Sequence, residues 1–392
     1  MEKIVLVSGC RTAIGTFMGS LSGIDQIDLG AIAVREAVKR AGISPEKVDE
    51  VIVGNVGQIA QSGFIARAVS LKAGLPKETT AYSVNRQCGS GLQALVDGML
   101  EIQTGNAKIV VACGTENMSM LPYYIKGARV GLRMGHQEME DGLIDILTWP
   151  LGPYHNGMTA EAVAEKFNVS REEQDAFALE SQRKAVEAIA NGKFKEEIIQ
   201  VEINKGKERI IFDIDEHPRQ GLTIEKLAKM RPAFKEGGSV TAANSSGIND
   251  GAAAVVMMAE STAIDLGLKP LMEMMSWAVS GYDDILMGYT PYFSSKKVLE
   301  KNGLSVTDID IVELNEAFAS QSVAVIRDLG LDPAKVNVNG GAIALGHPVG
   351  ASGCILPVKM MYEMKRSGAK MGLIAMCIGG GQGISALFIN RN

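Results

Sequence analysis

Two cysteines, a histidine and an asparagine carry the reactive potential of this 392-residue chain. Cys88 stands in Asn85-Arg86-Gln87-Cys88-Gly89-Ser90-Gly91, and Cys377 opens Cys377-Ile378-Gly379-Gly380-Gly381-Gln382-Gly383, so both thiols sit on glycine-flanked turns. A thiol ahead of small residues at a helix start is placed where backbone N–H groups and the helix dipole favour a thiolate. His347, between Gly346 and Pro348, belongs on a loop, free to act as a base. Asn315 ends an apolar run and can hold a water or an oxyanion. A nucleophilic thiol, a base and oxyanion donors are the parts of acyl transfer through a thioester.

Each motif alone has a plainer explanation. Cys-Gly-Ser-Gly is common at tight strand-to-helix turns, and Gly-His-Pro is usually a turn histidine. The Gly379 to Gly383 run lacks the Lys-Ser/Thr of a phosphate-binding loop and the spacing of a dinucleotide fingerprint. Cys10, Cys113 and Cys354 read as small buried residues, and His136 and His217, in polar surroundings, as solvated ones. The joint occurrence of all four motifs is what favours chemistry.

The elements that must position these residues are duplicated. Lys47 to Asn55 and Val306 to Asn315 share a polar lead-in, an apolar strand and a terminal Asn. Cys88-Gly89-Ser90-Gly91 opens a helical run to Leu100, followed by the turn Gly105 to Lys108 and a strand Ile109 to Ala112. Gly350-Ala351-Ser352-Gly353 opens a run to Met364, then Gly368 to Lys370 and a strand Leu373 to Met376. A repeat about 260 residues apart is too long for a solenoid and fits two fused halves. Between them, Thr159 to Asn191 is strongly helical, opened by Thr159-Ala160-Glu161 and again by a capping box at Ser170-Arg171-Glu172-Glu173. Asp250 to Met258 reads as a buried strand returning to the first half.

Composition sets the outer limits. The chain is longer than one ordinary core needs, and its 46% hydrophobic and 21% charged residues suit a soluble globular enzyme. A net charge of −6 supplies no basic excess for nucleic acid. Five scattered cysteines with no metal-ligand spacing suit a reducing compartment. Met1 to Val7 runs directly into a strand, and no stretch of about 18 apolar residues suggests a membrane span. These features predict a cytoplasmic protein without metal.

With these motifs in place, the chain resembles the thiolases along its whole length. The resemblance rests on Arg11 to Gly15, Asn85 to Gly91, Met118-Ser119, Arg231 to Phe234, Asn244 to Gly251, Asn315 to Ala319, Asn339 to Pro348 and Cys377 to Gly383. It implies an α/β fold of two similar mixed-sheet halves, with helices between and outside them and an inserted loop domain. The halves would span 1–120 with 246–268, and 269–392, and the insertion 121–245.

The resemblance also implies roles. Cys88 would carry the acyl group with His347 as its base, and Cys377 would be the second acid/base, acting on the methyl carbon of acetyl-CoA. His347 and a water on Asn315 would hold the enolate, and the N–H groups of Cys88 and Gly379 the tetrahedral intermediate. For coenzyme A, Ser246 and the Ala242-Ala243 pair would meet the pantetheine, with His155 and Met287 at the thioester end and Phe234 and Phe318 completing the set. Arg219 is either a contact to the nucleotide phosphates or a solvated surface arginine. The implied partners are acetyl-CoA, acetoacetyl-CoA and CoA, as substrates with no further cofactor. The implied assembly is a homotetramer, a dimer of dimers joined through a loop at about Tyr123 to Gly142 that carries Lys126, Arg129 and Arg133.

One departure bears on substrate length. Short-chain thiolases commonly have His-Met-Gly where this chain has His155-Asn156-Gly157, followed by Met158. Acetyl or acetoacetyl chains remain favoured, with longer 3-ketoacyl chains next. A ketoacyl synthase would generally have a second His in place of Cys377. A noncatalytic lipid-binding relative would have lost reactive residues that are all present here.

Overall fold

A computed structural model describes residues 2–60, 62–205 and 208–392. Met1, part of the strand expected over Met1 to Val7, lies outside them. The first half comprises β1 (Ile4–Thr12), α1 (Gln26–Ala41), β2 (Glu50–Gly54), β3 (Thr80–Val84), α2 (Ser90–Gln103) and β4 (Ile109–Asn117). After an insertion containing α3 (Asn156–Lys166) and α4 (Arg171–Ala190), the chain returns as β5 (Asn249–Ala259). The second half comprises β6 (Met272–Gly281), α5 (Thr290–Lys301), β7 (Ile311–Leu314), α6 (Ala319–Leu329), α7 (Val349–Ser367), β8 (Met371–Ile378) and β9 (Gln382–Asn390).

The strands run in the order β7-β8-β9-β6-β1-β5-β4-β2-β3. From β1 outward the pairings are antiparallel to β5, antiparallel to β4 and parallel to β2. From β6 outward they are antiparallel to β9, antiparallel to β8 and parallel to β7. The duplication seen in the sequence is therefore a repeat of topology, and the first half adds β3 as an extra parallel edge. The two half-sheets are also continuous, because β1 and β6 pair antiparallel from Ile4↔Met274 to Leu6↔Met272.

Helices cover both faces, which is why β1, β4 and β5 are buried along their whole lengths and are mostly small and apolar, with Arg11, Glu116, Asn117, Asn249 and Asp250 at their ends. α2 and α7, the paired helices of the repeat, cross each other. A Cβ on Gly91 would lie 2.6 Å from the Cys354 amide nitrogen, and one on Gly353 would lie 2.1 Å from that of Leu92. Only glycine at both positions lets the helix starts approach this closely. α7 packs on β4 and β5 of the first half and on β7 and β8 of the second, so its N-terminus lies at the junction of the halves.

The helical stretch in the insertion is two helices, not one. Asn168 takes a left-handed φ of 51° between them, and Ser170 with Glu173 forms the expected capping box on α4. Thr159 is not a helix start: α3 begins at Asn156 with the His155 side chain as its cap. No helix among the described residues is long and apolar enough to cross a membrane.

Candidate active site

Cys88 sits on the turn that enters α2. Gln87 is held at a left-handed φ of 47°, and Ser90 Oγ closes the turn by accepting from the Arg86 amide at 2.9 Å and donating to the Gln87 carbonyl at 2.6 Å. The thiol is packed among Val56, Met118, Leu121, Leu143 and Val349. Burial pushes it up to about 11, against the opposing pull of the Gly379 and Cys88 amides that face the sulfur. The helix start therefore does not yield a resting thiolate. Desolvation outweighs the dipole.

His347 is supplied with the matching property. Ser352 Oγ donates to the Pro348 carbonyl at 3.0 Å, so at 2.6 Å it accepts from His347 Nδ1–H. That chain places the proton on Nδ1 and leaves Nε2 unprotonated, accepting from Asn315 Nδ2 at 3.4 Å. Burial lowers the imidazole to about 4, so it is neutral and able to accept a proton at ordinary pH. Its backbone N–H donates to Asn249 Oδ1 at 2.9 Å, which ties the loop to β5.

Asn315 continues β7, its amide donating to the Ala375 carbonyl at 2.9 Å. Its Oδ1 is buried without a hydrogen-bond partner among the described residues. Cys377, at the end of β8, is fully buried among Ala160, Met287, Ala317 and Phe318. Burial, then the nearby Cys88, raises its thiol further than that of Cys88.

A cavity of about 580 Å³ brings most of the expected residues together. Cys88, His347, His155, Met287, Phe234, Phe318, Ala242, Ser246 and Arg219 line it. Asn315, Cys377 and Ala243 are buried outside its lining, and Gly379 reaches it only through the amide that faces Cys88. His155 stacks on Phe234 with ring centroids 5.0 Å apart, and Phe234 meets Phe318 edge-on at 6.1 Å. The Arg219 amide donates to Gln182 Oε1 at 2.8 Å.

Several lining residues escaped the sequence reading. His217 is not a solvated side chain: it is half-buried in the cavity wall, and burial followed by Arg219 lowers it to about 4. Phe17, Ile144 and Leu147 complete apolar walls that no motif marks, and Thr16 and Ile248 also line the cavity. Asn249 and Ser352 lay inside quoted motifs, yet their contacts to His347 come from separate elements. Asn156 lines the cavity and Met158 does not, so the departure at 156 falls on the wall itself. His136 is exposed, and Cys10, Cys113 and Cys354 are buried, as expected.

A duplicated α/β fold whose halves meet at a cavity lined by a thiol and a neutral histidine, with a second thiol buried outside that lining, defines an acyl-transferring enzyme. Family models described as "Thiolase, N-terminal domain" and "Thiolase, C-terminal domain" match residues 4–261 and 268–390. An acetyl-CoA acetyltransferase of Pseudomonas aeruginosa is 49% identical over 387 residues, 98% of each chain. The crystal structure of the Bacillus anthracis acetyl-CoA acetyltransferase superposes with a TM-score of 0.98 at 42% identity, covering 100% of this chain and 99% of that one. Human mitochondrial 3-ketoacyl-CoA thiolase in complex with CoA gives 0.96 at 41%, covering 100% and 98%. The chain belongs to the thiolase family.

Proposed function

We propose that this acyltransferase condenses two acetyl-CoA to acetoacetyl-CoA and CoA, and runs the reverse thiolysis, through an acetyl group on Cys88. The observation that carries the reading is the pairing of a neutral His347, its Nε2 unprotonated, with a protonated Cys88 thiol in one cavity. Neither thiolate nor imidazolium is stable beforehand, so Nε2 takes the proton as sulfur attacks the thioester carbonyl. The tetrahedral oxyanion is held by the Cys88 and Gly379 amides, and CoA leaves as the thiol.

In the second stage Cys377, left as a thiolate by giving its proton to the departing CoA sulfur, removes a proton from the methyl carbon of a second acetyl-CoA. His347 and a water on Asn315 stabilise the enolate, which attacks acetyl-Cys88 and frees its sulfur. Coenzyme A would run from Arg219 at the rim, past Ser246 and the Ala242-Ala243 pair, to Met287, Phe318 and the His155–Phe234 stack. The assembly would be a dimer of dimers. The exposed apolar residues Val130, Leu132, Met134 and Met139 on the 123–142 segment support this, as unpaired apolar surface of this kind is characteristic of interfaces.

The test is incubation of the purified protein with acetoacetyl-CoA and CoA. Conversion to acetyl-CoA that Cys88→Ala abolishes is expected. No turnover in the wild type would overturn the reading.

A further inference from the structure

The two halves place a polar side chain at equivalent strand ends, and each points at the other half's helix. In the parallel pairs, Gly54 of β2 lies opposite Gly114 of β4, and Leu314 of β7 opposite Ala375 of β8. Two residues beyond Gly114 is Glu116; two beyond Ala375 is Cys377. The antiparallel partners agree, because Glu116 faces Gly251 on β5 and Cys377 faces Gly383 on β9. Cys377 of the second half lies near enough to Cys88, at the start of first-half α2, for the two thiols to act on each other electrostatically. Glu116 of the first half abuts the start of second-half α7.

Glu116 is fully buried and its carboxylate is the hub of four donors. Oε2 accepts from the Val56 amide at 3.0 Å and the Gly350 amide at 2.9 Å. Oε1 accepts from Gly57 N at 2.9 Å and Asn55 Nδ2 at 3.2 Å. Gly350 belongs to the first turn of α7, where Pro348 offers no side-chain cap and no acidic residue follows. A Cβ on Gly350 would sit 2.5 Å from Glu116 Oε2. The carboxylate thus acts as a cap supplied in trans, satisfying an N–H and the positive end of the helix dipole. That same turn carries Ser352, whose hydroxyl orients His347.

We propose that Glu116 is a positioning residue that fixes the first turn of α7 and, through Ser352, the orientation and tautomer of His347. The inference rests on the reading of His347 as the base for Cys88. Asp250 and Cys88 are the other titratable groups that act on the carboxyl or are acted on by it.

The experiment measures thiolysis of acetoacetyl-CoA by the intact wild type, Glu116→Gln, Ser352→Ala and the double variant. A displaced base costs catalysis steeply while leaving the CoA contacts in place. Glu116→Gln is therefore expected to lower kcat roughly 30-fold or more with KM within about 3-fold, and Ser352→Ala to lower it roughly 10-fold. If both act through one turn, the double variant should be no slower than the slower single variant. Wild-type kcat in Glu116→Gln, or losses that multiply in the double variant, would overturn the proposal. Ser352→Ala removes one oxygen and leaves Glu116 intact, so an undiminished kcat there overturns it even if Glu116→Gln fails to fold. An inactive wild type would instead strike at the proposed function.

Discussion

The ends of β4 and β8 occupy the same place in their halves and have diverged in chemistry. At β4, Glu116 and Asn55 form a closed network in which four donors converge on one carboxylate. At β8, Cys377 has no such network among the described residues, and there the Asn315 side chain reaches only to His347 Nε2. The helix starts diverge in the same way. Ser90 merely closes the turn that carries Cys88, whereas its counterpart Ser352 bonds to His347 Nδ1. The repeat thus supplies two equivalent junctions between strand end and helix start. The side chains then give one a hydrogen-bonded carboxylate and the other a buried thiol.

The most drastic way to break this contrast is at Cys377. Cys377→Ser should keep acetylation of Cys88 but lose about 10³- to 10⁴-fold in condensation and thiolysis, because a hydroxyl is a far weaker acid and a poor partner for carbon deprotonation. Near-normal turnover, measured with acetoacetyl-CoA, would make the two strand ends equally structural.

At the other end, pH sharpens the comparison. Burial raises the Glu116 carboxyl from its ordinary 4.5 to about 7, so the folded state holds that proton more tightly than the unfolded chain. The stabilisation is full below the unfolded value and is lost as pH rises through about 7. Between about pH 4.5 and 8 the wild type should therefore lose up to about 3 kcal/mol relative to Glu116→Gln. Parallel pH profiles of denaturant midpoint for the two proteins would show instead that the carboxyl titrates normally.

The smallest expected effect lies in the wall between these junctions. Asn156 precedes Ala160 by one helical turn on α3, and Ala160 packs with Cys377 and Met287. Asn156→Met should narrow the acyl space and lower kcat/KM for five- or six-carbon 3-ketoacyl-CoA about 10-fold relative to acetoacetyl-CoA. An unchanged ratio would remove Asn156 from chain-length selection.

Much of this was legible in the sequence. The repeat, the returning strand and the loops bearing Cys88, His347 and Cys377 all have local signatures, because glycine turns, caps and apolar runs are short-range features. The continuity of the two sheets was not legible, since β1 and β6 pair through an edge-to-edge contact that no local pattern encodes. The contacts of Glu116 and Asn249 were missed for the same reason: each bonds a segment more than 90 residues away in sequence. His217 was misread because polar neighbours in sequence are not its neighbours in space. The helix start suggested an activated thiolate at Cys88, and only the fold reveals how thoroughly apolar packing opposes it.

The central claim is that the two thiols are not interchangeable and that Cys88 alone carries the acyl group. Intact-mass and peptide mass spectrometry after brief incubation with acetyl-CoA tests it most directly. The account predicts one acetyl group, on Cys88, absent from Cys88→Ala and retained in Cys377→Ser. An acetyl group that persists on Cys377 in Cys88→Ala would contradict it and reverse the roles of the two halves.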